Sequence, residues 1–191
     1  MMTPSGIEIG FQLDRQWYWM QGQMDRSKRP TLLLVAQALA ESGVPYAVID
    51  GVAMQAHLAD PRTTLDIDLA VQSRAAIPRD ALLARGFTHT GTFEHSDNWA
   101  GPDGTPVQFT DDPALKSPVD RCERIEIDGH PLRVLCRADL LREKLRAGAD
   151  PARRRSKRMQ DLADAQALLE LEPGLGSTLT PGERGLLDRL P

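Results

Sequence analysis

Two aspartates one residue apart, Asp66 and Asp68, interrupt the otherwise apolar run from Leu65 to Val71. Alternation over residues 65–71 predicts a strand with Leu65, Ile67, Leu69 and Val71 on one face and both carboxylates on the other. Neighbours on one face of a strand stand about 7 Å apart. Carboxylates that close repel, and each favours its protonated form unless a cation intervenes. A hard divalent ion such as Mg²⁺ suits both and keeps coordination places for phosphate oxygens. Upstream, Gly51 sits where a short apolar run at 45–49 turns into a helix. Backbone N–H groups and the positive end of a helix dipole make such a turn a phosphate cradle. Each feature also has a plainer reading: Asp66 and Asp68 as the wet face of an edge strand, and Asp50 as a helix cap. The glycine turn and the Asp-x-Asp strand at this spacing together favour a site for a metal-bound triphosphate.

The surrounding pattern supplies the elements that would hold such a site. Residues 1–30 are polar and rich in Gln, Arg, Ser and Gly, carry the aromatic patch Trp17-Tyr18-Trp19, and read as a poorly ordered arm with one possible helical turn. A helix is predicted from Pro30 to Ser42, stopped by Gly43, then a strand at 45–49 and a helix at 50–58. A short helix at 78–85 and strands near 87–93, 98–100 and 105–110 follow, the last two joined by the turn Gly101-Pro-Asp-Gly104. Asp128-Gly129 between apolar runs at 123–127 and 132–135 signals a hairpin. Helical patterns then cover 139–147 and 152–171, with a further short helix at 182–190. The fold class is therefore α+β: a small mixed sheet flanked by helices, with a helical C-terminal part. The expected division is an arm at 1–30, an α/β core at 31–136, C-terminal helices at 137–172 and a tail at 173–191.

With 191 residues, 41% of them hydrophobic and 26% charged, the chain can bury one substantial core. Its apolar runs fall far short of the roughly 18 residues a membrane span needs. No basic-then-apolar leader is visible, and the two cysteines, Cys122 and Cys136, are expected to be reduced, which together predict a cytoplasmic protein. A net charge of −4 argues against nucleic-acid binding by the chain as a whole. Yet nine basic residues against three acidic ones from Arg137 to Arg158 make one local basic stretch. Within it, Arg153-Arg154-Arg155 reads either as a solvated helix start or as a contact for a phosphate-rich partner such as tRNA. Lys157, Asp161 and Asp164 fall at i, i+4 and i+7 on one helical face, with Met159, Leu162, Ala163 and Leu169 available for the buried side. Lys157 and Asp161 could be a simple surface ion pair or part of a site; Lys144, on the preceding helix, could reach a phosphate.

The stretch from Val48 to Val71 resembles the signature of the nucleotidyltransferase superfamily of the DNA polymerase beta type. There, an apolar strand leads into a glycine turn, a helix and an Asp-x-Asp strand. Gly51-Val-Ala53 and Arg62-Thr-Thr-Leu-Asp66-Ile-Asp68 are similar to the minimal, toxin-like members of bacterial abortive-infection toxin–antitoxin systems. Lys144 with the run from Lys157 to Asp164 resembles that group's closing helices. The resemblance covers roughly residues 31–171. It implies Mg²⁺ held by Asp66 and Asp68 and catalysis by Asp66, Asp68, Lys144 and Asp161. It also implies nucleotide binding by Gly51, Arg62, Thr64, Lys144 and Lys157. The implied reaction transfers a nucleotide from an NTP to a hydroxyl of RNA or a protein, with a cognate antitoxin as a further partner and no membrane involved.

Two positions depart from that pattern. The family's leading glycine is Asp50 here, and the third carboxylate, expected on a later strand, corresponds to Gln108 in Val107-Gln108-Phe109. A glutamine offers a neutral oxygen but cannot accept a proton from an attacking hydroxyl. Asp112 shares its strand face but lies about 13 Å further along; Asp111, Glu94, Asp97 and Asp103 are the other acidic candidates. Two functions therefore stand side by side: a Mg²⁺-dependent nucleotidyltransferase, or an inactive module of the same fold that binds a nucleotide, RNA or a partner protein.

Overall fold

A computed structural model describes residues 5–23 and 26–188. The chain divides into two compact units, Met1–Leu135 and Cys136–Pro191. In the first, the elements run α1 (Gly6–Met20), α2 (Arg29–Glu41), β1 (Tyr46–Ile49), α3 (Asp50–His57), β2 (Ile67–Val71), α4 (Arg79–Ala84), β3 (Thr88–Thr92), β4 (Asp97–Ala100), β5 (Pro106–Thr110), α5 (Lys116–Asp120), β6 (Glu123–Ile127) and β7 (His130–Val134). The strands form one mixed sheet in the order β3-β4-β5-β2-β1-β7-β6. Strand β2 runs antiparallel to β1 and parallel to β5, and β1 runs parallel to β7.

Sequence explains this order. Strand β1 is apolar at all four positions and buried at all four, as a strand covered on both faces must be. The edge strands β3 and β6 carry polar and charged residues and are largely exposed. Asp128 and Gly129 both take positive φ, 52° and 74°, which closes the β6–β7 hairpin in the tight turn their sequence predicts. Helix α2 carries Pro30 in its first turn and ends before Gly43, whose φ is 65°. It packs on β7 and α4 through Leu32, Val35 and Leu39, all fully buried.

The N-terminal segment departs from expectation. Residues 6–20 form α1, a 15-residue helix packed on α3, where a poorly ordered arm was expected. Its buried residues Ile7, Phe11, Asp14 and Tyr18 recur every three or four positions, a single helical face. An aspartate occupies one of those four places, and this hid the helical period among polar residues. The aromatic patch divides: Tyr18 is buried and Trp19 is exposed.

The second unit holds α6 (Arg137–Ala149), α7 (Arg155–Leu171), a 3₁₀ turn (Pro173–Thr178) and α8 (Pro181–Leu187). Helices α6 and α7 pair closely, because Gly148 lacks the Cβ that would stand 2.6 Å from Leu162 Cδ2. The buried face of α7 is Asp161, Leu162, Asp164, Ala165 and Leu168. Met159 and Ala163, expected on that side, are exposed, because the two aspartates take inward positions. Thr180 and Glu183 form a reciprocal capping box that starts α8. Cys122 and Cys136 are not joined in a disulfide. Among the described residues, no helix is long and apolar enough to cross a membrane.

Candidate metal and phosphate site

Asp66 stands immediately before β2 and Asp68 is its second residue. Burial alternates along this stretch: Asp66 exposed, Ile67 buried, Asp68 half-buried, Leu69 buried. The two carboxylates therefore share the outward side of the strand. The plainer edge-strand reading fails, because β2 lies inside the sheet between β5 and β1. Asp68 pairs in register with Ile49, the last residue of β1, and with Gln108 on β5. Gln108 in turn pairs with Asn98 on β4. One row across the sheet thus reads Ile49, Asp68, Gln108, Asn98, and its β1 end runs straight into α3.

The turn into α3 resolves the first departure. Ile49 is extended, and Asp50 then takes a φ of 50°, in the left-handed region where glycine is at home. Aspartate is among the few side chains that tolerate this conformation, so the backbone turns as a glycine would let it. The Asp50 carboxylate faces Arg62, with Oδ1 3.8 Å from Nη2. At Gly51 a Cβ would fall 2.7 Å from Thr64 Cβ and closer still to its hydroxyl. Gly51 is therefore fixed by packing as well as by its place in the first turn of α3, whose leading N–H groups have no partner within the helix.

Thr64 is buried and donates its hydroxyl to Asp66 Oδ1 at 2.8 Å. Its backbone is pinned on both sides. Thr64 N donates to Asp14 Oδ1 at 3.0 Å, and Thr64 O accepts from Lys28 Nζ at 2.6 Å. Lys28 also pairs with Asp14 and donates to Gln55 Oε1 at 3.0 Å. Gln55 Nε2 donates to Arg62 O at 2.9 Å and to Asp14 Oδ2 at 3.3 Å. Asp14, Lys28 and Gln55 are at most 1% exposed. Burial pushes the Lys28 ammonium below the usual lysine range, while Asp14 pulls it back up. Nothing in the sequence marked this network, since Asp14 and Lys28 fall in the segment read as an arm.

The other acidic candidates for a third carboxylate are engaged elsewhere. Asp97 is buried against Arg79 and His89. Asp103 accepts from the Thr31 and Thr105 hydroxyls. Asp111 is bonded by Arg74, and Asp112 caps the 3₁₀ turn at Pro113–Leu115. Glu94 is exposed in the loop after β3. Gln108 is left as the side chain in register with Asp68, and Asn98 beside it has a buried Oδ1 with no hydrogen-bond partner. Asp66, Asp68 and Gln108 are all hard oxygen donors, the set that Mg²⁺ accepts, and two carboxylates balance one dication. His57 is buried, with Nε2 2.7 Å from Leu135 O, and so packs as expected of a core histidine.

In the second unit, Lys144 is fully buried, with Nζ 3.1 Å from both Asp161 Oδ1 and Asp164 Oδ2. Arg153 Nε stands 2.8 Å from Asp161 Oδ2 as a charge contact outside hydrogen-bond geometry. Asp161 thus pairs with Lys144 and Arg153, while Lys157 is exposed; the Lys157–Asp161 surface pair, one of the two readings of that face, is not the arrangement found.

No protein-family model and no curated protein matches the sequence. Solved structures do. The solution structure of the antibiotic-resistance factor ANT(2'')-Ia is 17% identical over 79% of this chain and 92% of its own, with a TM-score of 0.54. The crystal structure of ANT(2'')-Ia in complex with adenylyl-2''-tobramycin is 16% identical over 78% of this chain and 97% of its own, with a TM-score of 0.51. The Megavirus polyadenylate synthase is 15% identical over 91% of this chain but only 39% of its own, with a TM-score of 0.56. At such identities the likeness speaks for architecture alone: this chain has a nucleotidyltransferase-like fold, a mixed sheet flanked by helices.

Proposed function

We propose that the chain binds a nucleoside triphosphate with Mg²⁺ at Asp66 and Asp68 and transfers its nucleotide to an acceptor hydroxyl. The observation that carries this reading is the position of Asp68 in an interior strand, in register with the residue that leads into the Gly51 turn. Two carboxylates on one side of a strand repel each other, and a bound cation relieves that repulsion. Bound Mg²⁺ would neutralise phosphate charge and offer coordination places to substrate oxygens. Gly51 and the first turn of α3 take the phosphates through backbone N–H groups, and Asp66 and Asp68 would hold the ion that offsets the triphosphate charge. The acceptor oxygen forms a bond to the α-phosphorus in line as the bond from that phosphorus to the bridging oxygen breaks, releasing pyrophosphate. Gln108 cannot take the acceptor's proton, so the proton leaves to water.

The resemblance of Gly51-Val-Ala53 and the run from Arg62 to Asp68 favours a hydroxyl of RNA or a protein as acceptor, and the role of a toxin opposed by an antitoxin. ANT(2'')-Ia, solved with an adenylylated small molecule, supports nucleotidyl transfer as the general chemistry. A second reading has its own observation: with Gln108 beside Asp68, the row has no third carboxylate, as suits a module that binds nucleotide without turning it over.

Incubating the chain with labelled NTPs, Mg²⁺ and total RNA or protein, alongside calorimetric NTP titration, separates the two. Transfer that vanishes in Asp68→Ala is expected for the enzyme, with a loss of at least about a hundredfold, in line with the cost of removing one electrostatic group from a reacting centre. Mg²⁺-dependent binding without transfer establishes the module. Transfer unchanged in Asp68→Ala, or no nucleotide binding at all, would sink both.

A further inference from the structure

We infer that Asp14, Lys28 and Gln55 are positioning residues that fix the Asp66 carboxylate through Thr64, which makes α1 a working part of the Asp66–Asp68 site. This rests on the reading of that pair as a metal site.

The segment before β2 has no regular secondary structure of its own, yet its backbone is held at three points. Gln55 donates to Arg62 O, Asp14 accepts from Thr64 N, and Lys28 donates to Thr64 O. The holding groups come from α1, from the residue preceding α2, and from α3. Their own polar capacity is used up in doing so. The three N–H bonds of Lys28 go to Asp14, Gln55 and Thr64, and Asp14 accepts from Lys28, Thr64 and Gln55. With its backbone fixed, Thr64 aims its hydroxyl at Asp66 Oδ1, in space that Gly51 leaves open. Gly10 performs the matching service on α1, where a Cβ would stand 2.5 Å from Gln55 Cδ.

Stability alone does not account for this arrangement. A buried ion pair is often no more stabilising than apolar side chains of the same volume, because desolvating two charges cancels most of their attraction. What a fully satisfied polar network adds is orientation. A carboxylate that binds a dication benefits from that, since groups bonded to a metal's ligands typically change its affinity by 10–100-fold.

The test uses the full chain, Mn²⁺ as the probe, and free Mn²⁺ measured by electron paramagnetic resonance. Thr64→Val and the double variant Asp14→Leu/Lys28→Met should weaken Mn²⁺ binding by about 10–100-fold. Thr64→Ser, which keeps the hydroxyl, should bind as the wild type does. Amide exchange at Thr64 should quicken in the double variant while circular dichroism shows the fold retained. Wild-type affinity in Thr64→Val overturns the inference, and so does equal weakening in Thr64→Ser. If the double variant does not fold, the Val and Ser pair still decides. A wild-type chain that binds no Mn²⁺ overturns the metal reading instead; unchanged protection of Thr64 in the double variant would then overturn the positioning claim by itself.

Discussion

At the scale of single residues, Gly51 shows how one position can answer to two demands. Sequence spacing marks it as a turn for phosphate, and the side chain of Thr64 fills the place where its Cβ would go. Gly51→Ala should therefore destabilise the chain by about 1–3 kcal/mol, the cost of overpacking a filled site. Thr64→Gly, which takes away the Cβ along with the hydroxyl and methyl, should remove most of that packing penalty in the double variant, and urea denaturation of the four chains would measure the coupling. Additive effects would mean that Thr64 does not occupy the space Gly51 leaves. The Asp-x-Asp pair, the glycine turn and Gln108 were legible in the sequence because local spacing carries them. Asp50 was misleading there: its charge was visible, and its left-handed backbone, which makes it a workable stand-in for glycine, was not. Asn98 carried no signal at all, since only the register of β4 with β5 sets it beside Gln108.

At the scale of elements, periodicity located most strands and helices, and it failed where charged residues point inward. Helix α7 is the instructive case. Asp161 and Asp164 sit on its buried face, so an apolar count selects Met159 and Ala163 wrongly. Those aspartates are tolerable because Lys144 of α6 reaches both at 3.1 Å. Lys144→Met should leave two carboxylates, 3% and 4% exposed, without the one ammonium that reaches both, while Arg153 still faces Asp161 and Gln160 still donates to Asp164. Removing one partner of a buried pair costs about 3–5 kcal/mol, so a fall in stability of that order is expected by chemical denaturation. Replacing Asp161 and Asp164 by Leu in the same chain should recover much of it, since apolar substitution of the whole group avoids the stranded charge. A Lys144→Met chain as stable as the wild type would show that the α6–α7 pair does not depend on this contact.

At the scale of the whole molecule, the question is where the first unit begins. Composition places its start near residue 30, because the preceding segment is rich in Gln, Arg and Gly. The structure places α1 within Met1–Leu135, with Ile7, Phe11 and Tyr18 each at most 4% exposed. Burying side chains of this size contributes about 1.5–3 kcal/mol each, so the three together rival the 5–15 kcal/mol by which a domain is stable. Removing α1 would also strip Lys28 of Asp14, leaving its buried ammonium without that counter-charge. A chain truncated to start at residue 24 should therefore lose its cooperative thermal transition, and with it any Mn²⁺ affinity of the Asp66–Asp68 pair. Calorimetry of the truncated and full-length chains, run side by side, checks this. A truncated chain that melts cooperatively within a few degrees of the full one would mean that α1 is an appendage, and that the 62–66 segment holds its shape without it.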